Sequence, residues 1–222
     1  MISLSVIIPT LNEAEKLSET LACFQKLEST ELVVVDGGSA DETVLIAETE
    51  GVRVLSTSEP GRARQMNLGA SETSGDVLLF LHGDTQVPKA SLEHLQKALE
   101  ADRELLGGGF ARRFDSSSLL LRFTSWCADF RGRWWGLFLG DQGIYVRRSA
   151  FEKLGGFDAA VYPGEDLDFS YRLSRLGKTR LISPPVMSSA RRFLKEGAWK
   201  QTRLDFSAAR EILAGAKRRA RS

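Results

Sequence analysis

Cysteine and histidine are almost missing from this chain. Of its 222 residues, only Cys23 and Cys127 are cysteine and only His82 and His94 are histidine. Two distant cysteines build neither a disulfide framework nor a zinc motif, so a reducing cytoplasm is the expected setting. Two histidines leave a serine–histidine hydrolase resting on His82 alone, and no G-x-S-x-G elbow is present. No G-x-G-x-x-G follows the first apolar run, and G-x-x-x-x-G-K-[ST] is absent, so dinucleotide binding and P-loop hydrolysis have no sequence basis. Net charge is missing as well. The 30 basic and 29 acidic residues leave +1, without the basic excess of a nucleic-acid partner. The longest apolar neighbourhood, Leu119–Leu139, contains Arg122, Asp129, Arg131 and Arg133, so no transmembrane segment is expected. Ile2–Ile8 is apolar but has no basic region before it, so it does not read as a secretory leader. There is no internal repeat and no low-complexity segment.

What is present is alternation. β-branched runs at Leu4–Ile8, Leu32–Val35, Val52–Leu55 and Val77–Leu81 read as buried strands. Between them, Leu17, Leu21 and Phe24 recur at helical spacing, a helix is expected up to about Glu50, and Gly61–Ser71 reads as a third. Pro88 marks the start of another, with Leu92, Leu95 and Leu99 on one face. Thr10 with Glu13, Ser39 with Glu42 and Ser149 with Glu152 have capping-box spacing. The second half is less regular. Strands are expected at Phe110–Phe114, Ile144–Val146 and Lys178–Ser183, with helices after Pro163-Gly164 and over Trp199–Ala216. Strand–helix alternation without a long linker implies one α/β domain over residues 1–222, built on a largely parallel sheet.

Three strand ends carry polar clusters: Thr10-Leu11-Asn12-Glu13, Asp36-Gly37-Gly38-Ser39 and His82-Gly83-Asp84-Thr85. In a parallel sheet these tips share one edge, where open α/β sheets bind ligands. The chemistry on offer is carboxylate-centred. Asp84 suits Mg²⁺ or Mn²⁺, which take oxygen ligands and commonly combine one or two carboxylates with substrate phosphates. Asp36 can accept hydrogen bonds from a base or ribose. Asp166, at a helix start with Glu165 and Asp168, can take a proton from an acceptor hydroxyl. Arg62 and Arg64 can reach phosphate oxygens.

The segments "LSVIIPTLNE", "ELVVVDGGSADET", "GRARQMNLGA", "GDVLLFLHGDT", "GGFD" and "GEDLDFSYRLSRLG" occur in the order found in family-2 glycosyltransferases of the GT-A fold, and the chain resembles that family over about residues 3–183. Within it the chain looks most like a small, soluble branch of bacterial proteins. The resemblance implies a Rossmann-like mixed, mainly parallel sheet flanked by helices. It implies a donor half over about residues 1–100 and an acceptor half over about 101–222. It implies a nucleotide-diphosphate sugar as donor and a divalent metal, Mn²⁺ or Mg²⁺, as cofactor.

Residue by residue, the second acid of the family's Asp-x-Asp motif matches Asp84, while His82 stands in place of the first and Gly83 lies between them. The family's paired aspartates after the second strand match Asp36-Gly37, so one acid is absent there too. Pro9, Thr10 and Glu13 match the nucleotide pocket, and Asn67 falls in a matching segment with Arg62 and Arg64. Asp166, preceded by Glu165, matches the base of inverting members. No histidine follows His94 to complete a metal shell, and Arg191 and Arg192 are the candidates for leaving-group charge.

Two rivals remain at the level of sequence. A nucleotidyltransferase would want a glycine- and lysine-rich loop after the first strand, and "PTLNEAEK" is a poor one. A nucleotide-sugar-binding protein without turnover is favoured by the acids missing at Gly37 and His82. Leu120, Phe123, Cys127, Phe130 and Trp134 fall at helical spacing and are expected in the core. The competing reading turns these same residues, with Arg122, Arg131 and Arg133 beside them, toward a lipid-linked acceptor or a membrane surface, with peripheral contact at the inner membrane face of a cytoplasmic protein through Trp134, Trp135 and Phe138.

Overall fold

A computed structural model describes residues 2–25, 27, 29–57, 61–191 and 193. Strands β1 (Leu4–Thr10), β2 (Thr30–Asp36), β3 (Arg53–Ser56) and β4 (Val77–Phe80) alternate with helices α1 (Leu17–Leu21), α2 (Thr43–Thr49) and α3 (Arg62–Ser71). The four strands are parallel in the order β3-β2-β1-β4. There follow β5 (Thr85–Gln86), α4 (Lys89–Ala101), β6 (Leu105–Phe114), α5 (Leu119–Trp135), a 3-10 turn at Gly140–Gln142, β7 (Ile144–Arg147), α6 (Arg148–Lys153), α7 (Glu165–Leu176) and β8 (Lys178–Ser188). One sheet runs through both halves and continues from β4 as β7-β6-β8-β5. β7 is antiparallel to β4 and β6, β8 is parallel to β6, and β5 is antiparallel to β8. The sheet is therefore mixed and mainly parallel.

Alternation along β1 divides the core, because successive side chains point to opposite faces. Val6 and Ile8 pack with Leu17, Leu21, Ala47 and Leu95 on one face. Ile7 packs with Ala63, Met66, Phe169 and Leu173 on the other. Both faces are covered, which is why β4 is buried at every position and reads as an unbroken apolar run.

Several expectations change. The three capping boxes do not form. Thr10 stays in β1 and α1 starts at Leu17; Ser39 gives its hydroxyl to Asp36 (2.5 Å); α6 starts at Arg148, before Ser149. β6 begins at Leu105 and takes in Gly107–Gly109, where a side chain would run into neighbouring backbone at Gly107 and Gly108 and into the Phe138 ring at Gly109. β8 runs past Ser183 to Ser188: the register jumps from Phe110↔Ile182 to Arg112↔Val186, so Pro184 and Pro185 stand outside the ladder in a bulge.

The largest difference is α5. Its core face is made of Leu121, Ser125, Ala128 and Gly132, while Phe123, Phe130 and Trp134 are exposed. A Cβ on Gly132 would stand 2.7 Å from the Phe138 ring, so only a small-residue face fits this approach. Phe138 itself is fully buried. No helix among the described residues is long and apolar enough to cross a membrane. The expected helix over 199–216 and the basic tail lie outside the described residues.

A Cβ on Gly108 would overlap the Arg180 carbonyl oxygen of β8 and stand 2.8 Å from the Tyr145 hydroxyl. Overpacking against backbone inside a sheet falls at the upper end of the usual cost, so Gly108→Ala should destabilise by about 3 kcal/mol. For a chain of this size that lowers the melting midpoint by roughly 6–12 °C, readable by calorimetry.

Candidate active site

The tips of β1, β2 and β4 do lie side by side. At the first, Thr10 offers its carbonyl to the Gly37 N–H (2.9 Å), and its hydroxyl lies 3.4 Å from Asp36 Oδ1. Asp36 is buried, and its Oδ2 accepts the N–H groups of Gly38 (2.8 Å) and Ser39 (2.9 Å). It thus closes an Asx-type turn with one oxygen and faces Thr10 and Ser39 with the other. Pro9 pairs in register with Val35 just behind. Gln65 on α3 locks the two tips together, donating from its amide to the carbonyls of Thr10 (2.8 Å) and Val35 (2.7 Å). A Cβ on Gly37 would meet that amide at 3.0 Å, which explains glycine there.

The third tip delivers His82, Gly83 and Asp84. The Gly83 carbonyl accepts the buried Thr20 hydroxyl at 2.9 Å, and a Cβ on Gly83 would press on Glu13 (3.2 Å) and Thr10 (3.4 Å). Arg191 reaches in from beyond β8, bonding Glu13 Oε2 at 2.5 Å and Glu15 Oε2 at 3.2 Å. Burial pushes the Asp84 carboxyl above the usual carboxylate range; Arg191 opposes the rise and Asp141 adds to it. Glu13 is raised by burial first and by Asp84 second, against its bond from Arg191.

Beside this cluster lies a second one. Glu165 and Asp166 open α7 and are both buried. Arg62, at the start of α3, sits 3.0 Å from Glu165 Oε1 and 3.4 Å from Asp166 Oδ2. Asp166 accepts the Gly140 N–H at 2.6 Å and the Leu167 N–H at 2.7 Å. Gly140 is where the elements meet: a Cβ there would collide with His82 Nε2, lie 2.7 Å from Arg62 Nη2 and 3.1 Å from Asp166 Oδ2. The next residue, Asp141, is ion-paired with Arg112 of β6. Burial alone would raise Asp141, but Arg112, His82 and Arg131 outweigh it and hold its carboxyl below the usual range. Gln142 is fully buried and accepts from Arg131 (2.9 Å) and the Leu139 N–H (3.2 Å).

Most of the expected residues therefore converge: Thr10, Glu13, Gly83, Asp84 and Arg191 on one side of His82, with Arg62, Glu165 and Asp166 on the other. Two stand apart. Arg64 lies on the exposed side of α3. Asn67 clasps the backbone of Phe157, donating to its carbonyl (2.8 Å) and accepting its N–H (2.9 Å), so its amide is spent on holding the Gly155-Gly156-Phe157-Asp158 loop. Arg192 lies outside the described residues. Gln65, Arg112, Gly140 and Asp141 had no role in the sequence reading. The one available signal was Gly140-Asp141-Gln142-Gly143, a polar glycine-flanked cluster ahead of a strand.

The donor set around Asp84 is carboxylate oxygen, which suits a hard divalent cation. Among the described residues no group of three or more His, Cys, Asp or Glu side chains is arranged to hold a metal, so ligand oxygens would have to complete the shell.

The sequence pattern of glycosyl transferase family 2 matches residues 5–155. The chain belongs to glycosyl transferase family 2. This family-2 chain is 28% identical over 211 residues to the undecaprenyl-phosphate 4-deoxy-4-formamido-L-arabinose transferase of Sodalis glossinidius, a match covering 85% of this chain and 60% of that protein. It is 30% identical over 191 residues to a PGL/p-HBAD biosynthesis glycosyltransferase of Mycobacterium bovis, covering 76% of this chain and 68% of that one. Its fold is similar to that of a mannosyltransferase from Pyrobaculum calidifontis solved in complex with GDP-Man and Mn²⁺. There the TM-score is 0.69 and the identity 24%, over 85% of this chain and 56% of the other. The chain thus spans little more than half to two thirds of these proteins. The fold is GT-A.

Breaking a buried ion pair leaves an uncompensated charge, so Asp141→Asn should cost about 3–5 kcal/mol at neutral pH. Because the Asp141 pKa is lowered on folding, its contribution is full above the unfolded carboxylate pKa and is lost as pH falls through the folded one. Denaturant melts of both proteins should differ most near pH 7 and converge in acid below the ordinary carboxylate range.

Proposed function

We propose that this chain transfers a sugar from a nucleotide-diphosphate sugar to an acceptor hydroxyl, with inversion at the anomeric carbon. The observation that carries the reading is the convergence at Gly140: His82 of the β4 tip, Arg62 of α3 and Asp166 of the α7 start all come within contact of it, and Arg62 pairs with both Glu165 and Asp166. Family membership and the GDP-Man and Mn²⁺ complex of the Pyrobaculum enzyme support the same chemistry. In this reading residues 1–100 hold the donor and residues 101–222 the acceptor.

The acceptor oxygen attacks the anomeric carbon while Asp166 takes its proton. The bond from that carbon to the diphosphate oxygen breaks, and its electron pair leaves with the nucleotide diphosphate. Gly140 and Leu167 hold the Asp166 carboxylate in place through their N–H groups, and Arg62 ties it to Glu165. Arg191, beside Glu13, supplies positive charge for the leaving diphosphate. Asp84 would hold a divalent cation, which would supply further neutralisation of that charge. Thr10, Glu13 and Asp36 line the nucleotide side. The name of the Sodalis relative supports a lipid carrier on the acceptor side; it names a lipid phosphate, whose attacking oxygen is already ionised, so the Asp166 step belongs to an acceptor hydroxyl.

A second reading, donor binding without turnover, is favoured by one feature: both Asp166 oxygens already accept backbone N–H groups. The two readings part in the following measurement. Asp166→Asn should lower transfer by about 10²–10⁴-fold. Donor affinity, measured by calorimetry, should hardly change, and Glu165→Gln should cost less. If wild type binds a nucleotide sugar but shows neither transfer nor hydrolysis, the binding-protein reading stands instead.

Metal dependence is measured separately. Calorimetry with uridine and guanosine diphosphates should give tight binding only with Mn²⁺ or Mg²⁺ present. Asp84→Asn should remove that dependence, and equal affinity with and without metal in both proteins would overturn the assignment.

A further inference from the structure

Among the described residues, six of the ten large apolar side chains left exposed belong to α5: Leu119, Phe123, Trp126, Phe130, Trp134 and Trp135. Their spacing puts five of them in one strip along the helix, since steps of three and four residues return to the same face. The rings touch in series. Centroids are 6.1 Å apart for Phe123–Trp126, 5.8 Å for Trp126–Phe130 and 6.2 Å for Phe130–Trp134, with Trp135 edge-on to Phe130 at 5.7 Å. The strip is about 24 Å long, at the rise of an α-helix. A continuous apolar patch of this kind marks an interaction surface.

Charge selects the partner. The helix has one acid, Asp129, and it is taken by Arg113 (2.7 Å) and the Arg112 N–H (3.1 Å). Arg122 and Arg133 are exposed beside the strip and have no ion pair among the described residues. Tryptophan and arginine flanking aliphatic and aromatic bulk is the composition that settles into a bilayer interface, rings at headgroup depth and guanidinium groups toward lipid phosphate. A second copy of this chain packed antiparallel on the same face would bring Arg122 and Arg133 against one another instead.

We propose that the exposed face of α5 docks the protein on an anionic lipid bilayer. Behind the strip, Asp129 accepts the Arg112 N–H and Arg131 donates to Gln142, so α5 is tied to the turn at Gly140–Gln142 whose Gly140 donates to Asp166. Docking through α5 would hold that turn near the lipid surface, where a membrane-resident acceptor would be met. This last point rests on the transferase reading; the docking itself does not.

The test is sedimentation of the full chain with sucrose-loaded vesicles of phosphatidylglycerol and phosphatidylethanolamine, against vesicles of phosphatidylcholine alone, without donor sugar. Wild type should sediment with the anionic vesicles, with a blue shift in tryptophan emission. Trp126→Ser/Phe130→Ser/Trp134→Ser should weaken partitioning by at least about tenfold. Arg122→Gln/Arg133→Gln should weaken it several-fold at low salt and little at high salt. These side chains are exposed, so melting midpoints and diphosphate affinity should stay at wild-type values, and the single variant Trp134→Ser serves if the triple variant melts early. Failure of wild type to sediment overturns the proposal. So does sedimentation unchanged in the aromatic variant, which would assign binding elsewhere in the chain. A wild-type dimer converted to monomer by the same substitutions assigns the face to a second copy. None of these outcomes bears on donor binding, so the transferase reading fails or stands on its own measurements.

Discussion

Arg112 is buried on β6 with its guanidinium against Asp141, and the turn that carries Asp141 is the one that delivers Gly140 to Asp166. A buried guanidinium is costly unless its charge is answered, and an answered one is costly to separate. The pair therefore sets where residues 140–142 sit relative to β6. Gln142 and Arg131 repeat the constraint from the other end of the turn, where Arg131 holds both the Leu137 carbonyl (3.1 Å) and the Gln142 amide oxygen (2.9 Å). The start of α7 is thus held by the Gly140 N–H from this turn and by Arg62 of α3.

The first half of the molecule works differently. There the strand tips are aligned by parallel pairing, and β1 in the centre sets the position of its neighbours on both sides. Side chains then trim the edge. Thr20 fastens the Gly83 carbonyl from α1, and Gln65 fastens the carbonyls of Thr10 and Val35 from α3. Each sets a buried polar group on a carbonyl near a strand end, and at Thr10 the amide adds to the Gly37 N–H that this carbonyl already accepts.

The difference between the halves explains what could be read from the sequence. Leu4–Ile8, Leu32–Val35 and Val77–Leu81 are buried on both faces and so print an unbroken apolar run followed by a polar tip; strands, edge and site acids are legible together. Asp141 and Arg112 are not, because a buried ion pair between positions 29 residues apart has no local pattern. At Ser39 the capping box misled because the hydroxyl donates to the Asp36 carboxylate instead of accepting a helix N–H. Helix α5 misled in the opposite direction. Its periodicity was real, but size was read as burial, whereas close approach to Phe138 and Leu181 admits only Gly132 and its small neighbours on the inner side.

The amide of Gln65 occupies the space that a side chain at position 37 would need. A side chain introduced at 37 alone would push the amide aside by a few tenths of an ångström, while a smaller residue at 65 alone would take the amide from both carbonyls and leave that of Thr10 with only the Gly37 N–H. The two positions are therefore coupled: a side chain at 37 and the amide of residue 65 compete for one space, so a change at either is felt at the other.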